Sequence, residues 1–417
     1  MNKVKNKIAL SVFILVLLGQ LTISMAQLPN ALPSDSHFVL SVFTDPTGFL
    51  TTTGIRGIRS SVLATRQGIF GLDLGAGFSL DNDTFGLGNI GKYGTELTDE
   101  LKDEIIALAG EDGIKIKPYL GAGTNLQIGI FGFGARVISD GEGYLSRDLL
   151  ELILKGNQLN RTYNLDPNLK LAVFGDAKAQ VAFRVPLLTR VLKFQDLAFG
   201  VAYHHIPGGV YATVDSDVTY TAVYTEEEAK NTTQLTGDLY LSQKGIGSAL
   251  DVGILVRPNK KLYLAASLDG IKGEVKWTDF KYYDLSKLPE DKEMTPEEFA
   301  ALGTPVAGEI TQTLPLTLRI GARYDLLNWF KLVAEASQTS LQDKSSHYNI
   351  TLGTDLTLLW LFPLKASVSY DSRYNRAGYS LGAGLKLLFL EAAAEAFAKP
   401  SRNGDELGVG VSARLAF

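Results

Sequence analysis

The chain has no cysteine among its 417 residues, only three methionines and four histidines, and little charge: 20% of residues, with 45 acids against 40 bases. Without cysteine there is no disulfide framework, no thiol nucleophile, and no thiolate set for zinc or an iron–sulfur cluster. The net charge of −5 excludes the basic stripe that a nucleic-acid binder needs. Long hydrophobic runs are also missing after residue 26. A spanning helix takes about 20 apolar residues, whereas the longest stretch here, around Leu358–Leu364, is interrupted by Pro363. Glycine is the excess, with 42 residues where average usage is roughly 7%.

The first 26 residues read as an export address. Lys3, Lys5 and Lys7 precede an apolar run from Ile8 to Leu18, and Ser24-Met25-Ala26 places small residues at a cleavage site between Ala26 and Gln27. Residues 1–26 are therefore expected to be a signal peptide, leaving 27–417 as one exported domain. A cysteine-free exported chain suits an oxidising envelope of the Gram-negative type. Lacking a second hydrophobic span, it is either soluble outside the inner membrane or a β-barrel in the outer one.

Period-two alternation decides between them. Phe417, Leu415, Ala413, Val411, Val409 and Leu407 share one strand face, opposed by Ala416, Arg414, Ser412, Gly410 and Gly408. Leu316, Leu318, Ile320, Ala322 and Tyr324 oppose Thr317, Arg319, Gly321, Arg323 and Asp325. Leu364, Ala366, Val368 and Tyr370 oppose Lys365, Ser367, Ser369 and Asp371, and Leu250, Val252, Ile254 and Val256 oppose Asp251, Gly253 and Arg257. One face is greasy along its whole length and the other is glycine or charge. Lipid outside and a polar lumen inside satisfy both faces at once. The expected fold is an all-β transmembrane antiparallel barrel of about 14 strands, with 12 to 16 allowed. Tyr324, Trp360, Tyr370, Tyr379 and Phe417 fall at strand ends, where interfacial aromatics belong. The terminal Phe417 resembles the signal read by the barrel-assembly machinery, so that machinery and outer-membrane lipid are the expected partners.

Three helical inserts interrupt the pattern, in regions 95–112, 142–157 and 285–306. The first runs from Thr98 to Ala109 before Gly110, and the second from about Tyr144 to Lys155, with Ser146 as a candidate N-cap. The third has Thr295 as N-cap, Pro296 at the first helical position and Gly303 past its end. All three are too short to cross a bilayer. They suit a plug in the lumen, a cap over an opening, or decoration of outer loops.

The strand GIFGLDLGAGFSL (Gly68–Leu80), the segment LTDELKDEIIALAG (Leu97–Gly110) and the strand pair GAGTNLQIGIFGFGARV (Gly121–Val137), behind a signal peptide, resemble one group of proteins. It is the set of outer-membrane barrels similar to conjugal-transfer TraF-like proteins and, more distantly, to FadL-type transporters of hydrophobic compounds. The resemblance implies a barrel with a plug and a hydrophobic solute. Where FadL-type chains open on Asn-Pro-Ala, this one has Leu28-Pro29-Asn30-Ala31-Leu32-Pro33.

No motif points to catalysis. Gly378-Tyr379-Ser380-Leu381-Gly382 fits a hydrolase elbow in letters, but it runs on as strand alternation and not into a helix. Gly86-Leu87-Gly88-Asn89-Ile90-Gly91 lacks the βαβ unit of a dinucleotide site. His204 and His205 point to opposite faces of a strand and read as polar residues of the barrel rim; with His37 and His347 they form no metal set. A non-enzyme without cofactor or metal is expected.

The lumen face is the candidate site. It carries Arg319, Arg323, Lys331, Glu335, Asp355, Lys365, Asp371, Lys386 and Arg414, with Glu391 and Glu395 beside them. Opposed charges on neighbouring strands hold a wall or form a constriction. The expected function is a channel or transporter for a small solute; the family resemblance implies a hydrophobic one. The alternative is a structural or assembly component anchoring an envelope or secretion complex. Oligomeric state is not legible.

Overall fold

The computed structural model describes residues 70–82, 98–110, 113–128, 130–156, 158, 161–166, 168–224, 229–287, 295–340, 346–372, 375–399 and 406–416. The export segment with Ala26 and Gln27, the glycine motif at 86–91, His37 and Phe417 lie outside them.

Among the described residues, nineteen strands and four α-helices follow one another. The first part holds β1 (Phe70–Asn82), α1 (Asp99–Ala109), β2 (Ile114–Ile128), β3 (Phe131–Leu145), α2 (Arg147–Lys155), β4 (Thr162–Asn164) and β5 (Asn168–Arg184). The middle holds α3 (Pro186–Val191), β6 (Asp196–Tyr224), β7 (Ala229–Ser242), β8 (Lys244–Arg257), β9 (Leu262–Thr278) and β10 (Phe280–Asp284). Then come α4 (Pro296–Leu302), β11 (Thr304–Val306), β12 (Ile310–Thr313), β13 (Leu316–Leu327), β14 (Phe330–Ser340) and β15 (Ser346–Leu358). The last four are β16 (Phe362–Asp371), β17 (Arg376–Leu387), β18 (Leu390–Lys399) and β19 (Glu406–Ala416).

Fourteen of these strands form a closed antiparallel barrel in the order β1, β2, β3, β5, β6, β8, β9, then β13 through β19. Closure is direct, because β19 pairs with β1 from Gly71↔Ala416 to Asp81↔Glu406. The alternation explains the wall. In β18, Leu390, Ala392, Ala394 and Ala396 are exposed outward while Glu391, Ala393, Glu395 and Phe397 are buried inward. Large apolar side chains such as Ile320, Leu352, Val368, Leu381 and Val409 stand exposed on the outer face. Such an outer belt is stable only against lipid.

The two ends differ. At the end shared by the start of β1 and the finish of β19, the strands are joined by tight turns at 328–329, 359–361 and 388–389 and by short links at 185–195 and 258–261. The other end carries the long connections with α1, α2 and α4. Helices α1 and α2 pack together there through Ala109 and Leu150 against Ile114, and Lys155 pairs with Asp103. Ser146 caps α2 by accepting from Leu149 N at 3.2 Å. Thr295 and Glu298 form a capping box at α4, whose Phe299 stacks on Tyr283 at 4.7 Å.

Alternation in the sequence reads as separate strands at 195–204 and 209–224; the structure joins them in one strand, β6, of 29 residues. Its first part pairs with β8 in the barrel, and beyond Pro207-Gly208 it pairs with β7 outside it. The proline and glycines bend the strand without ending it. Strands β7, β10 and β11 extend from β6 as a sheet standing off the loop end. The stretch 308–324, which reads in sequence as one strand-like run, divides into β12 and β13 at Pro315. Helix α3 was not legible in the sequence.

Candidate functional site

Two zones follow one another along the lumen wall. The zone nearer the loop end is apolar. Strand registry turns Ile138, Phe174, Ile206, Ala249, Val275 and Trp277 inward, and they form one cluster with Phe280. Tyr211 completes it, with its ring 5.5 Å from Trp277 and edge-on to Phe280 at 6.0 Å. Trp277 is fully buried and directs its indole N–H to Gln312 Oε1 at 3.3 Å. Gly208 and Gly245 lie beneath the ring, where a Cβ would come within 2.8 and 2.7 Å of it.

Below this zone runs a belt of charge. Arg136 on β3 pairs with Asp176 on β5, and Asp176 meets His204 Nδ1 at 2.8 Å. The opposite ring nitrogen, Nε2, lies 2.8 Å from Asp251 Oδ2 on β8. Both ring nitrogens therefore face carboxylate oxygens, and only the doubly protonated ring donates from both. Asp251 Oδ1 also accepts the backbone N–H of Gly270 at 2.9 Å. That residue has φ 76° at an irregular stretch of the β8–β9 pairing. The belt continues on β13, where Arg319 Nε lies 3.1 Å from Asp269 and its Nη1 is 4.0 Å from Glu335. Only the bond from Gly270 N spans the stretch where bulges interrupt the β8–β9 ladder; the ion pairs join strands whose registry is regular at those positions.

The rest of the wall repeats the device. Arg323 pairs with Asp325 at 2.8 Å and stacks on Tyr263 at 4.0 Å. Lys331 meets Asp355 at 3.6 Å. Lys399 bridges Asp371 and Glu406, at 3.5 and 2.8 Å, and Arg376 holds Asp81 at 2.7 Å. Such pairs, buried on a wall, hold position by mutual neutralisation and not by hydration.

The structure thus places Arg319, Arg323, Glu335, Asp355, Lys365 and Asp371 buried on the lumen face, and Lys331 mostly so. Lys386 lies in the same inward row but is exposed near the turn end. Arg414 occupies the inward register position between Asp73 and Glu391. Ser380 faces the lumen in mid-strand and shares a hydrogen bond with Ser367 at 2.8 Å. The reading of His204 as a rim residue is corrected: it is buried between two carboxylates in the wall. His205, its neighbour, is exposed on the outer face. Arg136, Asp176 and Asp269 escaped the sequence reading. The alternation Asp176, Lys178, Gln180 on β5 is the signal that marks that strand's inward face.

With this geometry in hand, the likenesses are informative. Residues 202–392 match a family of unknown function, DUF5723. No curated protein matches the chain. Among solved structures, the toluene transporter TodX of Pseudomonas putida superposes with a TM-score of 0.51 at 10% identity, over 93% of this chain and 100% of its own. A FadL homologue of Pseudomonas aeruginosa gives 0.51 at 12% identity, again over 93% and 100%. At these identities the likeness is one of fold: a FadL-type barrel.

Proposed function

We propose that the chain is an outer-membrane channel, exported by residues 1–26, that passes small apolar solutes through its lumen. The observation that carries this is the Trp277–Tyr211–Phe280 cluster on the inner wall, continuous with a belt whose charges are spent on one another. A lumen built for ions presents charge to the passing solute. Here Asp176, Asp251 and Asp269 face Arg136, His204 and Arg319 instead, while the apolar zone, now packed on itself, would exchange contacts among its own rings for contacts with an apolar solute without desolvating a polar group. The fold shared with a protein named as a toluene transporter supports the same solute class. Helices α1 and α2, at the loop end, stand where a lid would act.

The test is extraction in mild detergent, followed by mass spectrometry of retained compounds and a structure with ligand density preserved. An apolar compound against Trp277 and Tyr211 is the expected result. A lumen retaining only hydrophilic solutes, or a stable protein partner with no solute flux, would favour the anchor reading instead.

A further inference from the structure

The turns at the short-turn end have the wrong residues for water. Two-residue hairpin turns favour Asn-Gly and its relatives, because positive φ is strained for bulky side chains. Here Leu359 and Trp360 occupy such a turn with φ 49° and 54°, and Leu388 another with φ 41°. They are also among the most exposed residues of the barrel, at 77%, 74% and 89%. Trp329, Phe389, Leu187 and Val191 are exposed on neighbouring connections. Backbone bonds join the adjacent turns, from Thr357 N to Trp329 O and from Lys386 N to Leu361 O, both at 2.8 Å. The apolar tips therefore form a continuous rim.

Charge on this rim has one sign. The connections 185–195, 258–261, 328–329, 359–361 and 388–389 contain no Asp or Glu. They contain Arg190, Lys193, Lys260 and Lys261, all exposed. The opposite end is rich in acids, as in Asp99, Glu100, Asp103, Glu104, Glu297 and Glu298.

Height fixes what covers the rim. Tyr348 and Tyr370 pair at 6.2 Å near the loop end of the outer belt. The ten steps from Tyr348 to Leu358, rising ~3.3 Å each on strands tilted by about 40°, descend roughly 25 Å, the height of a barrel's apolar band. Leu359 and Trp360 follow immediately, so the tips sit in the interfacial layer and not beyond it.

We infer that the short-turn rim is a docking surface for an anionic phospholipid leaflet: the Leu and Trp turn tips insert at the interface, and Arg190, Lys193, Lys260 and Lys261 hold acidic headgroups around them. Insertion removes Leu359, Trp360 and Leu388 from water, which offsets the strain of their backbone. The basic turn at Lys260–Lys261 and the segment after α3 flank the apolar tips as headgroup sites.

The absence of native cysteine makes the test direct. A nitroxide is attached at Leu359→Cys or Leu388→Cys in the full chain, reconstituted in phosphatidylcholine–phosphatidylglycerol vesicles, with Thr236→Cys as the loop-end control. Expected are collisions with oxygen that exceed those with a water-soluble paramagnet at 359 and 388, and the reverse at 236. Water-like accessibility at both turn sites overturns the inference. Should a cysteine variant fail to fold, the unmodified chain serves: bromines near the lipid carbonyls should quench Trp329 and Trp360, and quenching by aqueous iodide alone contradicts insertion. For the headgroups, labelled phosphatidylglycerol should be enriched at the barrel over phosphatidylcholine by roughly twofold or more. Lys193→Gln with Lys260→Gln and Lys261→Gln should abolish that enrichment. Equal retention of the two lipids by the unmodified chain removes the headgroup role.

Discussion

Trp277 packs against Gly208: a methyl group there would stand 2.8 Å from ring atom Cζ3 and 2.4 Å from the Cα of Gly245. The second contact is backbone and cannot turn aside. Gly208→Ala should therefore cost about 1–3 kcal/mol by overpacking, read as a lower urea midpoint for the reconstituted barrel. An unchanged midpoint would mean that Trp277 is not clamped to the wall.

Trp277 also separates packing from transport. Trp277→Phe keeps an aromatic ring in the inward cluster, whereas Trp277→Ala removes it. Uptake of an apolar aromatic solute should fall severalfold in the alanine variant and much less in the phenylalanine one. Ion conductance measured in planar bilayers should not follow that order.

His204 joins two carboxylates, so its loss leaves both without their shared donor. His204→Leu should cost about 3–5 kcal/mol, the usual result of breaking a buried pair. Adding Asp251→Asn to that variant should recover part of the loss, since Asp176 keeps Arg136 as a partner. A double-mutant cycle in denaturant reads the coupling; additive effects would show that the imidazole does not join the two strands.

The turn tips give an opposed pair of outcomes. Leu359→Asn with Trp360→Gly installs the residues that a positive-φ turn prefers. In water that relieves roughly 1–2 kcal/mol of strain per residue. In an interfacial layer it forfeits about 1.5–3 kcal/mol for each apolar side chain. The swap should lower unfolding stability in bilayers, and a gain would place the turn in water.

How much of this was legible in the sequence depends on regularity. From β13 to β19 the strands are 10 to 13 residues long and joined by short links at the turn end, so period-two reading put Arg319, Arg323, Glu335, Asp355, Lys365 and Asp371 on the inner face. The belt around His204 was harder. Asp176 lies 28 residues before it and Asp251 47 after, and in the barrel β6 pairs with β8, passing over β7. Alternation shows which residues face inward, but not which of them stand side by side when the pairing skips an element. Strand β6 misled for a local reason: Pro207-Gly208-Gly209 looks like a turn, yet it only bends the strand. Helix α3 hid because Leu187 and Leu188 continue the apolar character of β5. Leu359-Trp360 carries no turn chemistry at all, since lipid, and not residue preference, explains it.

The most direct test of the channel reading is initial uptake of a labelled monoaromatic hydrocarbon by intact cells. Cells producing the chain would be compared with cells producing none and with cells producing Trp277→Ala at equal, heat-modifiable barrel levels. Uptake should be faster with the chain and should drop toward the background with Trp277→Ala. Equal uptake in all three would contradict passage of an apolar solute through this lumen.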